Sequence, residues 1–252
     1  GSLNAHATWL LGKTAAGVDV RREHILSTAY GDVQPEDKWV SISGTDRKYN
    51  RLGERTNTSL FLEHNVIVGG FTLSAGLLAN RNTALDGKFR LYPGVDVSYR
   101  PNDEWKVYAS WNRALRVPTY TDLYTNNAVQ QGDIALRPEK NEAFKVGTRY
   151  RTHGFEALLS GFYSKGTDII DWVYPTAESK KYQAMNIGKL DNMGYSVDAA
   201  LHLQELLPEF FITRIKAGYA CIHQNHSTEG DVYGIRRWMC VCSGLRLHTI
   251  YM

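Results

Sequence analysis

The chain has 252 residues, 43% hydrophobic and 22% charged, which excludes a disordered segment and leaves room for one large domain or two small ones. No run of about 18 apolar residues occurs, so no transmembrane helix is written, although a β-barrel escapes that test because its two faces alternate. The net charge of +3 resides in residues 236–252, which hold Arg236, Arg237 and Arg246 and no acid; the remainder carries 26 bases and 26 acids, which speaks against nucleic acid as a partner.

Along the chain the dominant signal is period two. Leu3 to Leu11 is short and apolar-rich, and Gly12-Lys13 reads as a turn. From Thr14, Ala16, Val18 and Val20 alternate with Gly17, Asp19, Arg21 and Glu23, which predicts a strand with one apolar and one polar face. Residues 27–53 read as a large polar loop. A strand follows from Glu54 to Val68, its apolar parity interrupted by His64, and Gly69-Gly70 signals a hairpin. Strands around Phe71–Ala79, Phe89–Tyr99 and Trp105–Asn112 come next, with a turn at Pro101-Asn102-Asp103. A long loop, 115–138, leads to strands around Phe144–Tyr150 and Phe155–Tyr163, separated by Thr152-His153-Gly154. A strand is expected from Tyr182 to Leu203, a turn over Glu205–Glu209, a strand from Phe211, and a loop from His223 to Asp231. The count is about ten, with one more expected near Ile235–Cys242.

Two regularities exceed what a generic β protein needs. Short and long connections alternate, as short periplasmic turns and long extracellular loops do in outer-membrane barrels. Phe71, Tyr99, Trp105, Tyr150, Phe155 and Phe211 gather beside the short turns on the apolar parity, as in an interfacial girdle. The opposite parity carries Asp19, Arg21, Glu23, Arg100, Lys106, Lys145, Arg149, Arg151, Asp198, Arg214 and Lys216, which suits a wet lumen. A soluble all-β binding or hydrolytic domain also alternates, but its strands are typically nearer 5 or 6 residues.

Arg116-Val117-Pro118-Thr119, then Asp122-Leu123-Tyr124, then Gly132-Asp133-Ile134-Ala135-Leu136-Arg137-Pro138-Glu139, form an ordered set of words. Tyr163 with Asp168-Ile169-Ile170, Asn186-Ile187-Gly188 and Gly194-Tyr195-Ser196-Val197-Asp198 extend it, Asp198 standing one or two positions late. Together these resemble the TonB-dependent outer-membrane receptors, over residues 3–235. The resemblance implies an all-β fold: an antiparallel transmembrane β-barrel, of which 10–11 strands are present here out of roughly 22. It also implies an outer-membrane location in a Gram-negative bacterium, a plug domain and further barrel strands outside these residues, and a TonB energy-coupling complex as partner. The implied ligand is cobalamin or a ferric siderophore, rather than the glycans taken by another branch. A passive porin would leave the words unexplained.

Extracellular loops on a rigid scaffold are where recognition residues sit. Arg116, Tyr120, Asp122, Tyr124, Asn126 and Asn127 are therefore the candidate ligand-binding residues, the alternative being that Arg116–Tyr124 packs structurally against the plug. Residues 28–53, 116–138, 172–185 and 223–233 are expected outside the cell.

No nucleophile elbow, zinc-protease helix, phosphate loop or dinucleotide fingerprint occurs, so no catalytic residues and no cofactor are expected. Asp168 with Asp171 could form an acid–base pair but lacks a third group. His223 and His226 read as solvated loop residues, and Cys221, Cys240 and Cys242 as incidental thiols, so no metal is expected. The opening residues lack a basic and an apolar signal region, which suggests export information removed or a fragment. The chain therefore divides into a partial barrel, 1–235, and an atypical tail, 236–252, whose basic pair and two thiols suggest a shifted frame or a truncation.

Overall fold

The computed structural model describes residues 1–9, 12–176, 178–207, 212–227 and 246–249. The strands are β1 (Ser2–Trp9), β2 (Gly12–Ser27), β3 (Asp32–Val33), β4 (Val40–Ser41), β5 (Lys48–Tyr49) and β6 (Arg51–Val68). Next come β7 (Phe71–Asn82), β8 (Arg90–Tyr99), β9 (Trp105–Arg116), the short helix α1 (Tyr120–Tyr124) and β10 (Gln130–Gln131). The remainder comprises β11 (Glu139–Thr152), β12 (Phe155–Thr167), β13 (Ile170–Val173), β14 (Tyr182–Asn186), β15 (Lys189–His202), α2 (Leu203–Leu206), β16 (Ile212–Ser227) and β17 (Arg246–Thr249).

The long strands form one antiparallel meander, β1-β2-β6-β7-β8-β9-β11-β12-β15-β16-β17, with β3 on the margin of β6. Each neighbour in space is the next long strand in sequence, so hairpins alone build the wall. β1 and β17 pair on one side only among the described residues, so the sheet is open. At the β6–β7 turn, Gly69 and Gly70 take φ of 57° and 83°, the left-handed pair that a two-residue hairpin turn demands.

The two faces behave as the alternation predicts. Leu60, Leu62, Val68, Leu73, Val107, Val146, Leu159 and Val197 are exposed, all on the apolar parity. An outward apolar face is stable only against lipid. The opposite face is cross-linked by polar side chains: Asn80 Nδ2 donates to Asn57 Oδ1 at 3.0 Å and to Ser59 Oγ at 2.9 Å, and Ser160 and Ser196 meet at 2.9 Å. Glu23 with Arg55 and Arg149 with Glu156 form ion pairs on it. The girdle is present beside the short turns. Phe71 stacks on Tyr99 at 4.2 Å between ring centroids, and Trp105, Tyr150 and Phe155 form a chain at 4.7 and 6.3 Å. His64 fits the outward face because Thr14 Oγ1 meets its Nδ1 at 2.9 Å while Trp9 Nε1 donates to the same hydroxyl at 2.9 Å.

Among the described residues, the one cluster of buried hydrophobic residues lies above the wall, not in it. Leu136, Ile170 and Ala184 pack together with Leu123 and Trp172. With one wall face turned to lipid and the other polar, the loop layer is where these larger apolar side chains are buried from water.

Several expectations need correction. Tyr182 to Leu203 is not one strand: β14 joins β10 and β13 in a small loop sheet, Ile187-Gly188 breaks the chain with Gly188 at φ 100°, and β15 starts the wall at Lys189. The segment 172–185 thus carries parts of β13 and β14. His223 is not in a loop: β16 continues to Ser227 because β15 offers it partners as far as Lys189, and the His226 backbone pairs with Leu190. The wall likewise claims Arg51–Gly53 from the first loop and Leu115-Arg116 from the second. Phe211, Cys240, Cys242 and the expected strand at 235–242 lie outside the described residues. Arg246–Thr249 pairs with β16.

Candidate functional site

The loop between β9 and β11 is folded by its own side chains. Thr119 caps α1: its Oγ1 accepts from the Asp122 amide at 3.1 Å, while Asp122 Oδ2 accepts from the Thr119 amide at 2.9 Å, a reciprocal capping box. Arg116 extends beneath it. Its Nε and Nη2 donate to the two Glu139 oxygens at 2.7 and 2.6 Å, and Nη1 reaches Asp122 Oδ2 at 3.5 Å. The fork closes the loop at its base, where β9 and β11 pair Arg116 with Glu139. Glu139 Oε1 also accepts from the Ile170 amide at 2.8 Å, which ties β13 to the same point.

The later words complete the bracket. Gly132 donates its amide to the Thr125 carbonyl at 2.6 Å, and a Cβ there would stand 2.6 Å from the Asp122 carbonyl oxygen, so only glycine fits. Asn186 Nδ2 donates to the carbonyls of Arg137 and Asp168 at 2.9 and 2.7 Å, and its Oδ1 accepts from the Arg137 amide at 2.9 Å. Asp168 holds a left-handed φ of 56°, with Arg137 Nη2 at 2.8 Å and Lys140 Nζ at 3.5 Å. Its partial burial opposes ionisation, but the Arg137 hydrogen bond and the charges of Arg137 and Lys140 outweigh it and hold the carboxyl below its ordinary value.

The loop reaches across to the first strands. Arg55 on β6 pairs with Glu23 on β2, donates to the Pro118 carbonyl at 2.9 Å and places its guanidinium 4.8 Å from the Tyr120 ring centroid. The Tyr120 ring lies against Gly53, where a Cβ would come within 2.6 Å of it. Burial pushes the Tyr120 and Tyr124 phenols above their ordinary value, so both stay neutral. Between this loop and residues 28–29 lies a polar cleft of 410 Å³, lined among others by Thr28, Arg51, Tyr124, Asn126 and Gln131.

The six candidates therefore do not form one site. Arg116 and Asp122 lie in the bracket, and Tyr120 is packed under Arg55. Tyr124 and Asn126 line the cleft, while Asn127, exposed, uses Oδ1 to accept from the Val129 and Gln130 amides at 2.8 and 2.7 Å. Sequence reasoning missed Thr28, Arg51 and Gln131. No local signal marks them, because the cleft forms only where the first and second long loops meet. Among the described residues, no group of three or more His, Cys, Asp or Glu could hold a metal ion.

A meander of long strands with an outward apolar face, a girdle and a layer of folded loops defines an outer-membrane barrel wall. The chain belongs to the TonB-dependent receptor-like β-barrel family, whose model matches residues 1–239, and its place is the outer membrane of a Gram-negative bacterium. No curated protein matches it. Among solved structures it is similar to the FrpB iron transporter from Neisseria meningitidis (F3-3 variant), at 21% identity and TM-score 0.60 over 88% of this chain and 34% of that one. It is similar to the siderophore receptor PirA from Pseudomonas aeruginosa at 16% identity and TM-score 0.66, over 88% of this chain and 39% of that one. A mutant ferric enterobactin receptor, PfeA from Pseudomonas aeruginosa, in complex with enterobactin, matches at 17% identity and TM-score 0.64, over 90% and 35% respectively. These identities speak for a shared fold. The chain spans little more than a third of each of these structures.

Proposed function

We propose that this chain is part of the wall of an energy-coupled receptor that binds a ferric siderophore outside the cell and passes it inward unchanged. The family is one of transport receptors, and the similar solved structures include siderophore and iron receptors, which favours this ligand over cobalamin. The observation that carries a binding role at this place is the polar cleft. It offers a hydroxyl, a guanidinium, a phenol and two amides on loops braced by the Arg116 bracket. Such a set suits a large, oxygen-rich ligand. Tyr124 and Asn126 contact the ligand in this reading, while Arg116, Tyr120 and Asp122 hold the loop in place and Asn127 shapes its tip. The plug and the TonB complex belong to the same proposal, as does the division into a wall, 1–235, and a tail, 236–252.

The test uses the receptor that carries this chain, in a strain lacking its own uptake systems. Radioiron uptake from ferric siderophores should require the proton-motive force. Tyr124→Ala with Asn126→Ala should weaken siderophore affinity at least about tenfold, roughly 1.4 kcal/mol, with heat-modifiable folding unchanged. Unchanged affinity would overturn the role of the cleft, and uptake of cobalamin but not iron would overturn the ligand.

A further inference from the structure

On the outward face, just above the apolar belt, the wall is split. The β8–β9 ladder runs from Tyr99↔Val107 up to Gly94↔Asn112 and stops, although β8 stays paired with β7 as far as Arg90. Pro93, which has no N–H to give a ladder, stands next above the last pair. The two strands part there around a cleft of 430 Å³ whose lining includes Arg90, Tyr92, Arg113, Lys140, Glu142 and Lys165.

The outward side of this cleft carries an excess of positive charge. Arg113, Lys140 and Lys165 line it with one carboxylate, Glu142, and the flanking acid Asp168 still leaves it net positive, while Arg90, across from Asn80, stands on the luminal parity with Asp86. The cations remain available: the Arg113 side chain is 53% exposed with Glu142 at 3.6 Å, that of Lys140 is 62% exposed, and Lys165 makes no ion pair among the described residues. Arg113, Glu142 and Lys165 form one cross-strand row. One step down the same strands is the row Trp111, Phe144 and Tyr163, about 7 Å below. That row borders a second, apolar groove of 760 Å³ reaching Val146, Met193 and Gly161. At Gly161 a Cβ would meet only the Gly194 carbonyl, at 3.7 Å, so the outward surface is dented there.

We propose that the split in the wall is a seat for a phosphate-bearing lipid of the outer leaflet, its headgroup among Arg113, Lys140 and Lys165 and one acyl chain in the groove at Gly161. The occupant follows from the layering: a cationic cleft lies directly over an apolar groove, on the face turned to lipid and at the end carrying the long loops. The inference rests on this orientation in the membrane and not on the identity of the imported ligand, so the siderophore proposal can fail without it.

The receptor that carries this chain, purified in detergent, is examined by native mass spectrometry with diphosphorylated lipid A, with dephosphorylated lipid A and with inorganic phosphate. One diphosphorylated lipid should be retained, and the other two probes should bind far more weakly. Lys165→Gln leaves no acid unpaired and should weaken retention about fivefold; adding Arg113→Gln and Lys140→Gln should bring the loss to the order of a hundredfold. Gly161→Leu should also expel the lipid by filling the dent. Heat-modifiable migration reports folding, and siderophore affinity should not change in Lys165→Gln or Gly161→Leu. Equal retention of the dephosphorylated lipid, competition by inorganic phosphate as strong as that by lipid, or wild-type retention by Lys165→Gln would each overturn the proposal.

Discussion

Arg116 joins three partners that lie far apart in role: the first residue of the next wall strand, the capping acid of α1 and, through Glu139, the start of β13. Its removal leaves Asp122, whose side chain is only 10% exposed, without its cation. Arg116→Ala should loosen the loop by about 1–3 kcal/mol, read as faster amide exchange over 117–125 with the wall strands unchanged. Arg116→Lys should rescue only part of this, because an ammonium cannot reproduce the fork. Asp168 gives the bracket a pH dependence. Its carboxyl is held below the ordinary value of 3.8, so the stabilisation is complete above that value and is lost as pH falls through the lowered one. Amide exchange over 168–176 and 178–188 should therefore be flat down to the ordinary aspartate range and rise only in stronger acid. Asp168→Asn should remove that rise.

At the scale of the element, three wall hairpins share a device on the luminal face. Phe61, Tyr108 and Phe162 stand directly across from Gly17, Gly147 and Gly194, and a Cβ on each glycine would collide with the opposing ring. A ring laid over a glycine covers backbone that would otherwise lie bare and fixes the register of the pair. Gly147→Val should displace Tyr108 and press on the Leu159 carbonyl, 2.8 Å from the new Cβ, at a cost of about 1–3 kcal/mol. The midpoint of heat-modifiable unfolding should fall accordingly. Gly76→Ala is the control: its Cβ would meet nothing closer than 3.7 Å, and the midpoint should hold.

For the whole molecule, the wall has two sides and two edges. With Cys221, Cys240 and Cys242 replaced by serine, Asp32→Cys, Asn126→Cys and Ser179→Cys in the receptor should react with an impermeant thiol reagent on intact cells, and Asn102→Cys should not. The reverse pattern would invert the wall in the membrane. The described strands leave β1 and β17 unpaired on one side, and lipid cannot satisfy their N–H and C=O groups. This polypeptide alone in liposomes should give neither ligand uptake nor a uniform conductance, whereas a stable single-sized channel would show that its edges meet.

Alternation by itself determined the wall: the parity of Leu60, Leu73, Val107 and Val146 fixes which face meets lipid, because a strand offers its side chains only two directions. The turn signals placed the hairpins, and the ordered words around Arg116 identified the family. What alternation cannot specify is where a paired strand ends. β16 runs on to Ser227, and residues 182–186 leave the wall for a loop sheet, because pairing depends on partners far away in sequence. The site was legible only in part for the same reason. Arg116 and Asp122 drew attention as a motif, but only the folded loop shows that they bond to Glu139 and Thr119. Thr28 and Arg51 carry no local pattern at all. They meet Tyr124 and Asn126 because the second loop folds back over the first strands, a contact that tertiary structure alone decides.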